Sequence, residues 1–199
     1  MQRKEYLVNA GIIVAVCTST KEGVPKYPQP SASITPFGLF GDFHCRAMRR
    51  SFSQPGTSKL NTDRHVTIVG EEAIVAVNQK LGLQLGPGDL GENILTRGMG
   101  DLSDIIGHSV IRIGNDIVLK VVKQNQPCSN LVPYHPLFVR EIKGRRGLLC
   151  AVISGVSKEI KPNDMIGCFP PVCRECGYWM LQSGGCWKCH NCSYTLGCE

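Results

Sequence analysis

The chain has 199 residues, 42% of them hydrophobic, with 22 Lys and Arg against 16 Asp and Glu for a formal charge of +6 at pH 7. That length suits one domain plus a small appendage, and the positive balance favours anionic ligands, although it is also compatible with a solvated surface. No run approaches the roughly 18 apolar residues of a membrane helix, and Met1-Gln2-Arg3-Lys4-Glu5 lacks a leader's apolar core, so a cytoplasmic, soluble protein is expected.

The elements follow in chain order. Residues 11–18 form an apolar run rich in Ile and Val that predicts a buried strand. Residues 21–35, with Pro25, Pro28 and Pro30, read as an extended loop. The densest basic cluster is next: Arg46, Arg49 and Arg50, joined by Lys59 and Arg64. Ser, Gly, Pro and Asn make 51–63 a mobile loop. Over 71–81, Ala73, Ile74, Val77 and Leu81 form a helical stripe with acidic residues in its first turn. Pro87-Gly88-Asp89-Leu90-Gly91-Glu92-Asn93-Ile94 is a Gly-rich polar loop, whose glycines permit close approach to a ligand. Strands over 109–113 and 116–123 are joined at Gly114-Asn115, a pair that tolerates positive φ. Cys128 follows Pro127, residues 148–153 read as another buried strand, and Phe169-Pro170-Pro171 breaks regular structure. Short strands outnumber helices, which predicts a mainly β, barrel-like fold.

Six of the eleven cysteines lie in the last 27 residues. Dense CxxC pairs in a chain without a secretory leader point to metal rather than disulfides. Cys173-x2-Cys176 and Cys189-x2-Cys192, twelve residues apart, have zinc-ribbon spacing: two knuckles offering four thiolates. Cys186 and His190 are alternative ligands, and Cys186 and Cys198 are otherwise spare thiols. Trp179, Trp187 and Tyr194 beside Arg174 and Lys188 either build the ribbon's own core or stack nucleic-acid bases. The tail also resembles the C-terminal ribbon of cobalamin-dependent ribonucleotide reductases. The expected division is 1–169 for the main domain and 170–199 for the ribbon.

The stretch from Pro87 through the hairpin to Pro127-Cys128 resembles the MOSC family, the domain named after the C-terminal part of molybdenum-cofactor sulfurase. Val14-Ala15-Val16, Gly23-Val24-Pro25-Lys26, Gly38 to His44, Arg64 to Val69, Arg146-Gly147, Gly155 and Asn163-Asp164 fit its pattern in order. The resemblance covers about residues 10 to 169. Cys45 after His44 and the insertion-like segment 51–62 depart from it. It implies a MOSC-type β-barrel that binds molybdenum cofactor (molybdopterin), acting in reduction of N-hydroxylated compounds or in cofactor sulfur transfer.

Carried over by position, Cys128 is the molybdenum or sulfur ligand, a soft thiolate that is also a nucleophile. Gly91, Glu92 and Asn93 form the pocket loop, and Asp42 and His44 the neighbouring wall. Lys26, Arg46 and Arg64 are the candidates for the cofactor phosphate. The plainer alternatives are that Asp42 and His44 brace their loop and that Glu92 and Asn93 cap the next segment. The competing function is a non-catalytic module whose zinc ribbon recruits a protein or nucleic-acid partner.

Overall fold

Nine of the ten residues in Asn9–Thr18 are buried or partly so, and this apolar segment is the long strand β1 of the computed structural model, which describes residues 9–51 and 53–198. The residues read above for a leader, and residue 52 of the 51–63 loop, lie outside that range. After β1 come short strands β2 (Tyr27–Gln29), β3 (Ala32–Thr35), β4 (Gly38–Leu39), β5 (Met48–Arg50) and β6 (Ser58–Leu60). Strand β7 (Val66–Gly70) leads through helix α1 (Glu71–Leu81) to β8 (Ile94–Arg97). The hairpin is β9 (Val110–Ile113) and β10 (Ile117–Gln124), turned at Gly114 with φ 55°. A 3-10 turn (Ser129–Leu131) and the short helix α2 (Phe138–Glu141) precede β11 (Leu148–Ser154), β12 (Glu159–Ile160) and β13 (Met165–Phe169). The tail holds β14 (Met180–Ser183), β15 (Cys186–Cys189) and β16 (Thr195–Leu196).

Strands β13, β9, β10, β11, β7, β8 and β1 pair in that order, and β1 pairs again with β13, closing a seven-stranded barrel. The fold is mainly β, as expected from the sequence. β7 and β8 are parallel, the one geometry that needs a crossover, and α1 provides it. Ile13, Ile68, Ile94, Ile111, Leu119 and Leu148 are among the side chains that fill the barrel. A second apolar layer forms where Ala73, Ile74 and Val77 of α1 meet Val69, Leu95 and Phe138 outside the wall. Burying a side chain of Phe138's size contributes about 1.5–3 kcal/mol. α1 ends at Gly82, left-handed at φ 66°, whose N–H returns to Asn78 O.

Two loops carry more structure than the sequence suggests. The proline-rich 21–35 stretch contains β2 and β3, because edge strands tolerate a proline that has no N–H to donate. Within 51–63, β6 pairs with β5, Met48 opposite Leu60 and Arg50 opposite Ser58.

Candidate functional site: a cysteine held by arginine and a cleft of arginines

Cys128 sits where the chain leaves β10 and enters the 3-10 turn, and its side chain is exposed. The guanidinium of Arg146, itself 9% exposed, ties three segments together. Its Nη1 donates to Gln126 O at 2.6 Å and to Cys128 Sγ at 3.3 Å, and its Nη2 to Leu90 O at 3.4 Å. Arg146 was legible only as part of an Arg-Gly pair, since nothing local in the sequence says that it reaches a cysteine 18 residues away. Next to it Gly147 has φ 82°, and a Cβ there would lie 1.9 Å from Ile68 O, so this turn accepts only glycine.

The other barrel thiols differ. Cys17 is pushed up to about 12, by burial and then by the Glu92 charge. Cys168 is pushed up to about 12 by burial, which outweighs the hydrogen bond with Ser109, and burial raises Cys150 as well. Such thiols stay protonated and inert at neutral pH. Cys45 is half-buried against Thr35 Oγ1 at 3.1 Å.

In the polar loop Glu92 and Asn93 turn inward. The Glu92 carboxylate accepts the N–H of Gly88 at 2.6 Å and of Leu90 at 3.2 Å. Burial raises its pKa, opposed by the N–H groups of Gly88 and of Glu92 itself and by the Lys26 charge. Asn93 Oδ1 accepts Thr67 N–H at 3.1 Å and Thr67 Oγ1 at 3.0 Å, and its Nδ2 donates to Cys17 O at 3.2 Å. Gly91, with φ 77°, brings the loop against Val24: a Cβ there would be 2.8 Å from Val24 Cγ1. The sequence offered ligand contact or capping of the next segment for Glu92 and Asn93, and their side chains hold the loop to itself and to β1 and β7.

Lys26 and Asp42 form a buried ion pair at 2.8 Å. Asp42 Oδ2 also accepts Ser19 N–H at 3.3 Å and Oδ1 accepts His44 N–H at 3.0 Å. Burial by itself would raise the Asp42 pKa, but the His44 hydrogen bonds and the Lys26 charge hold it well below the carboxylate range. Lys26 is lowered by burial, with Asp42 opposing. Lys26, expected at a phosphate, is therefore engaged by a carboxylate beneath the surface, because it follows the buried contact of its own backbone N–H with Gly88 O at 2.9 Å.

His44, Arg46 and Arg64 do come together. With Arg49, Arg50, Glu22 and Asn61 they line one small cleft. Arg49 pairs with Asp63 at 2.9 Å, Arg50 with Glu22 at 3.6 Å, and Arg46 lies over the Phe43 ring at 3.8 Å. The Nε atoms of Arg46 and Arg49 are buried without a hydrogen-bond partner. Arg49 and Arg50 are carried by β5, which pairs with β6 of the segment that departs from the family pattern, and Asn61 of that segment lines the cleft itself.

In the tail Cys173, Cys176, Cys189 and Cys192 gather with all four sulfurs within 4.8 Å of one another, a group that could hold a metal ion. Separations of 3.4 to 3.6 Å compare with about 3.8 Å between thiolates around a tetrahedral zinc. The two knuckles repeat each other: Cys173 N–H to Tyr178 O and Cys189 N–H to Tyr194 O are both 2.7 Å, with Gly177 and Ser193 left-handed at φ 73° and 61°. The Tyr178 amide first, then Asn191 and the neighbouring thiols, draw Cys176 down to about 6 against its burial. The Tyr194 amide acts likewise on Cys192, yet burial and the other sulfurs push it up to about 12. Only a bound cation would let all four sulfurs be thiolates this close together.

Cys186, the alternative ligand, is instead disulfide-bonded to Cys198, their Cα atoms 4.7 Å apart, which corrects the expectation of spare thiols. Trp187 is 4% exposed in the ribbon core, and its Nε1 donates to Gly107 O of the barrel at 2.9 Å. Arg174 stacks 5.0 Å over Tyr194. These rings form the ribbon's core, and Trp187 has no face left for a base.

A closed seven-stranded barrel with a crossover helix, an arginine-held cysteine and a cluster of four ribbon cysteines define a small β-barrel protein with a cleft of arginines and an appended knuckle pair that could hold a metal. The MOSC domain model matches residues 49–166, and the chain belongs to that family. The YuaD protein from Bacillus subtilis superposes with a TM-score of 0.70 at 22% identity, over 80% of this chain and 95% of that one. YiiM from Escherichia coli gives 0.55 at 17% over 81% and 71%, and YiiM from Geobacillus stearothermophilus 0.54 at 20% over 85% and 76%. At these identities the likeness concerns the fold. No curated protein sequence matches. Among the described residues no helix is long and apolar enough to cross a membrane.

Proposed function

We propose that this MOSC protein binds a molybdopterin-type cofactor, with Cys128 as molybdenum or sulfur ligand, and acts in reduction of N-hydroxylated compounds or in cofactor sulfur transfer. The observation that carries this reading is an exposed thiol fixed by a buried arginine, in a barrel whose strand cysteines are all buried. The arginine cleft fits the cofactor's other end, because the unpartnered Nε–H groups of Arg46 and Arg49 are donors that phosphate oxygens would satisfy. Arg64 and His44 complete that wall. Lys26, Asp42, Gly91, Glu92 and Asn93 serve the cofactor by holding the two loops that flank it.

When bound, the cofactor supplies a redox-active centre able to exchange oxygen or sulfur. Arg146 keeps the Cys128 sulfur oriented and ties it to the polar loop through Leu90. Residues 1–169 form the MOSC unit and 170–199 a ribbon that holds one zinc on Cys173, Cys176, Cys189 and Cys192, the bridge of Val172 with Trp179 opening the ribbon just after the prolines.

The test is elemental analysis of protein made in a cofactor-competent host. The parent should carry molybdenum and zinc, and Cys128→Ala zinc only, at unchanged melting temperature. Molybdenum in equal amount in both rules out the ligand role. Absence of molybdenum from the parent favours instead a binding module that presents its ribbon, where Tyr178 and Leu181 are 50% and 52% exposed, to a partner. Removing charge from Arg46 or Arg64 should weaken cofactor binding about tenfold, or about 1.4 kcal/mol, per contact, and added salt should do the same.

A further inference from the structure

A groove of about 410 Å3 lies on the outer wall of the barrel where β10 pairs with β11. It shares only Asn61 with the arginine cleft and includes none of the residues around Cys128. We propose that this groove is a second binding site, for a small organic anion with an apolar body, of the arylalkyl carboxylate class.

The floor follows from the strand register. Lys120 stands directly opposite Ala151, so both face outward from the same rung, and the alanine leaves depth beside the lysine stem. Between Val121 and Lys123 the register shifts, and this bulge brings Val122 onto the same wall. Ile153, 61% exposed, continues the apolar floor along β11. A cation with a purely polar surround would take an inorganic anion. Here the apolar floor asks for a hydrocarbon body attached to the charge.

The charge balance of the groove points the same way. No Asp or Glu lines it, and among the described residues Lys120 makes no ion pair. His65 contributes no charge: its Nδ1 accepts the Val152 N–H at 2.8 Å, so Nε2 carries the proton and donates to Asn61 O at 2.9 Å. That leaves Lys120 as the head-group site, with His108 on the rim. His108 is set by its N–H to Val121 O at 2.8 Å. Gly197 of the tail stands against its ring, where a Cβ would come within 3.1 Å, so the ribbon backs His108 from behind. The volume falls in the range that accepts organic ligands, roughly 300–1,000 Å3.

The experiment uses the full chain with its ribbon metal in place and titrates 4-phenylbutyrate, following backbone amide shifts by NMR. Saturable shifts at Val122, Ala151 and Ile153 are expected. Lys120→Ala, an exposed position that leaves folding intact, should bind at least tenfold more weakly, and the neutral probe 4-phenylbutanol should lose affinity by a similar factor. Ala151→Leu should fill the groove and abolish the shifts, its fold checked by the unchanged amide spectrum of β7. Three outcomes overturn the proposal: shifts confined to the arginine cleft, no saturation at millimolar probe, or equal binding by Lys120→Ala or of the uncharged alcohol.

Discussion

At the scale of single residues, the Lys26–Asp42 pair decides how the loops beside Cys128 are held. Breaking a buried pair from one side leaves an uncompensated charge and costs about 3–5 kcal/mol, whereas replacing both partners with neutral groups is much milder. Asp42→Asn and Lys26→Met should therefore each destabilise strongly, and the double variant should recover most of the loss in urea unfolding. Additive losses would show that the two residues do not act as a pair. The pH dependence follows with a definite sign. Folding depresses the Asp42 pKa, so its contribution is complete above the ordinary carboxylate value of about 4 and is lost as pH falls below it. Glu92 has the opposite sign: burial raises its pKa, so its ionisation costs stability as pH rises through that raised value. The Asp42→Asn variant should lose less stability than the parent as pH falls below about 4, measured as the urea midpoint from about pH 5 down to about pH 2.

At the scale of elements, the ribbon is where chemistry replaces packing. Its described core is small, with Met180, Trp187, Cys173 and Cys189 buried and two of the four being metal-type ligands. A unit of this size has too little apolar burial to fold on that alone, and the proposed metal would supply the difference. Cys176→Ser should release the proposed metal and loosen β14 to β16, while the barrel keeps its thermal transition, because the ribbon's buried cluster is separate from the two barrel clusters and Ile106 is the barrel-side residue packed against it. Hydrogen exchange resolved by segment checks this. Full zinc occupancy in the variant would mean that the ligand set is different. The contact of Trp187 with Gly107 is a single hydrogen bond, so loss of the ribbon should disturb the 98–109 loop and leave the strands in place.

At the scale of the whole molecule, periodicity and turn chemistry in the sequence determined the elements that obey local rules. The stripe of Ala73, Ile74 and Val77 gives α1, Gly114-Asn115 gives the hairpin, and the two CxxC spacings give a four-sulfur cluster, because each signal is complete within about twenty residues. The mainly β barrel class and the MOSC family were also legible, in ordered motifs. Tertiary structure alone decided which charges meet. Lys26 and Arg46 read alike in sequence, yet one is buried on Asp42 and the other lines an open cleft. Cys128 and Arg146 become neighbours only because the barrel returns β11 beside the end of β10. Proline hid β2, and pairing with β5 was needed to make β6 a strand. Local preference acts over a few bonds, whereas a site's electrostatics depend on which distant segments closure of the barrel brings within about 4 Å.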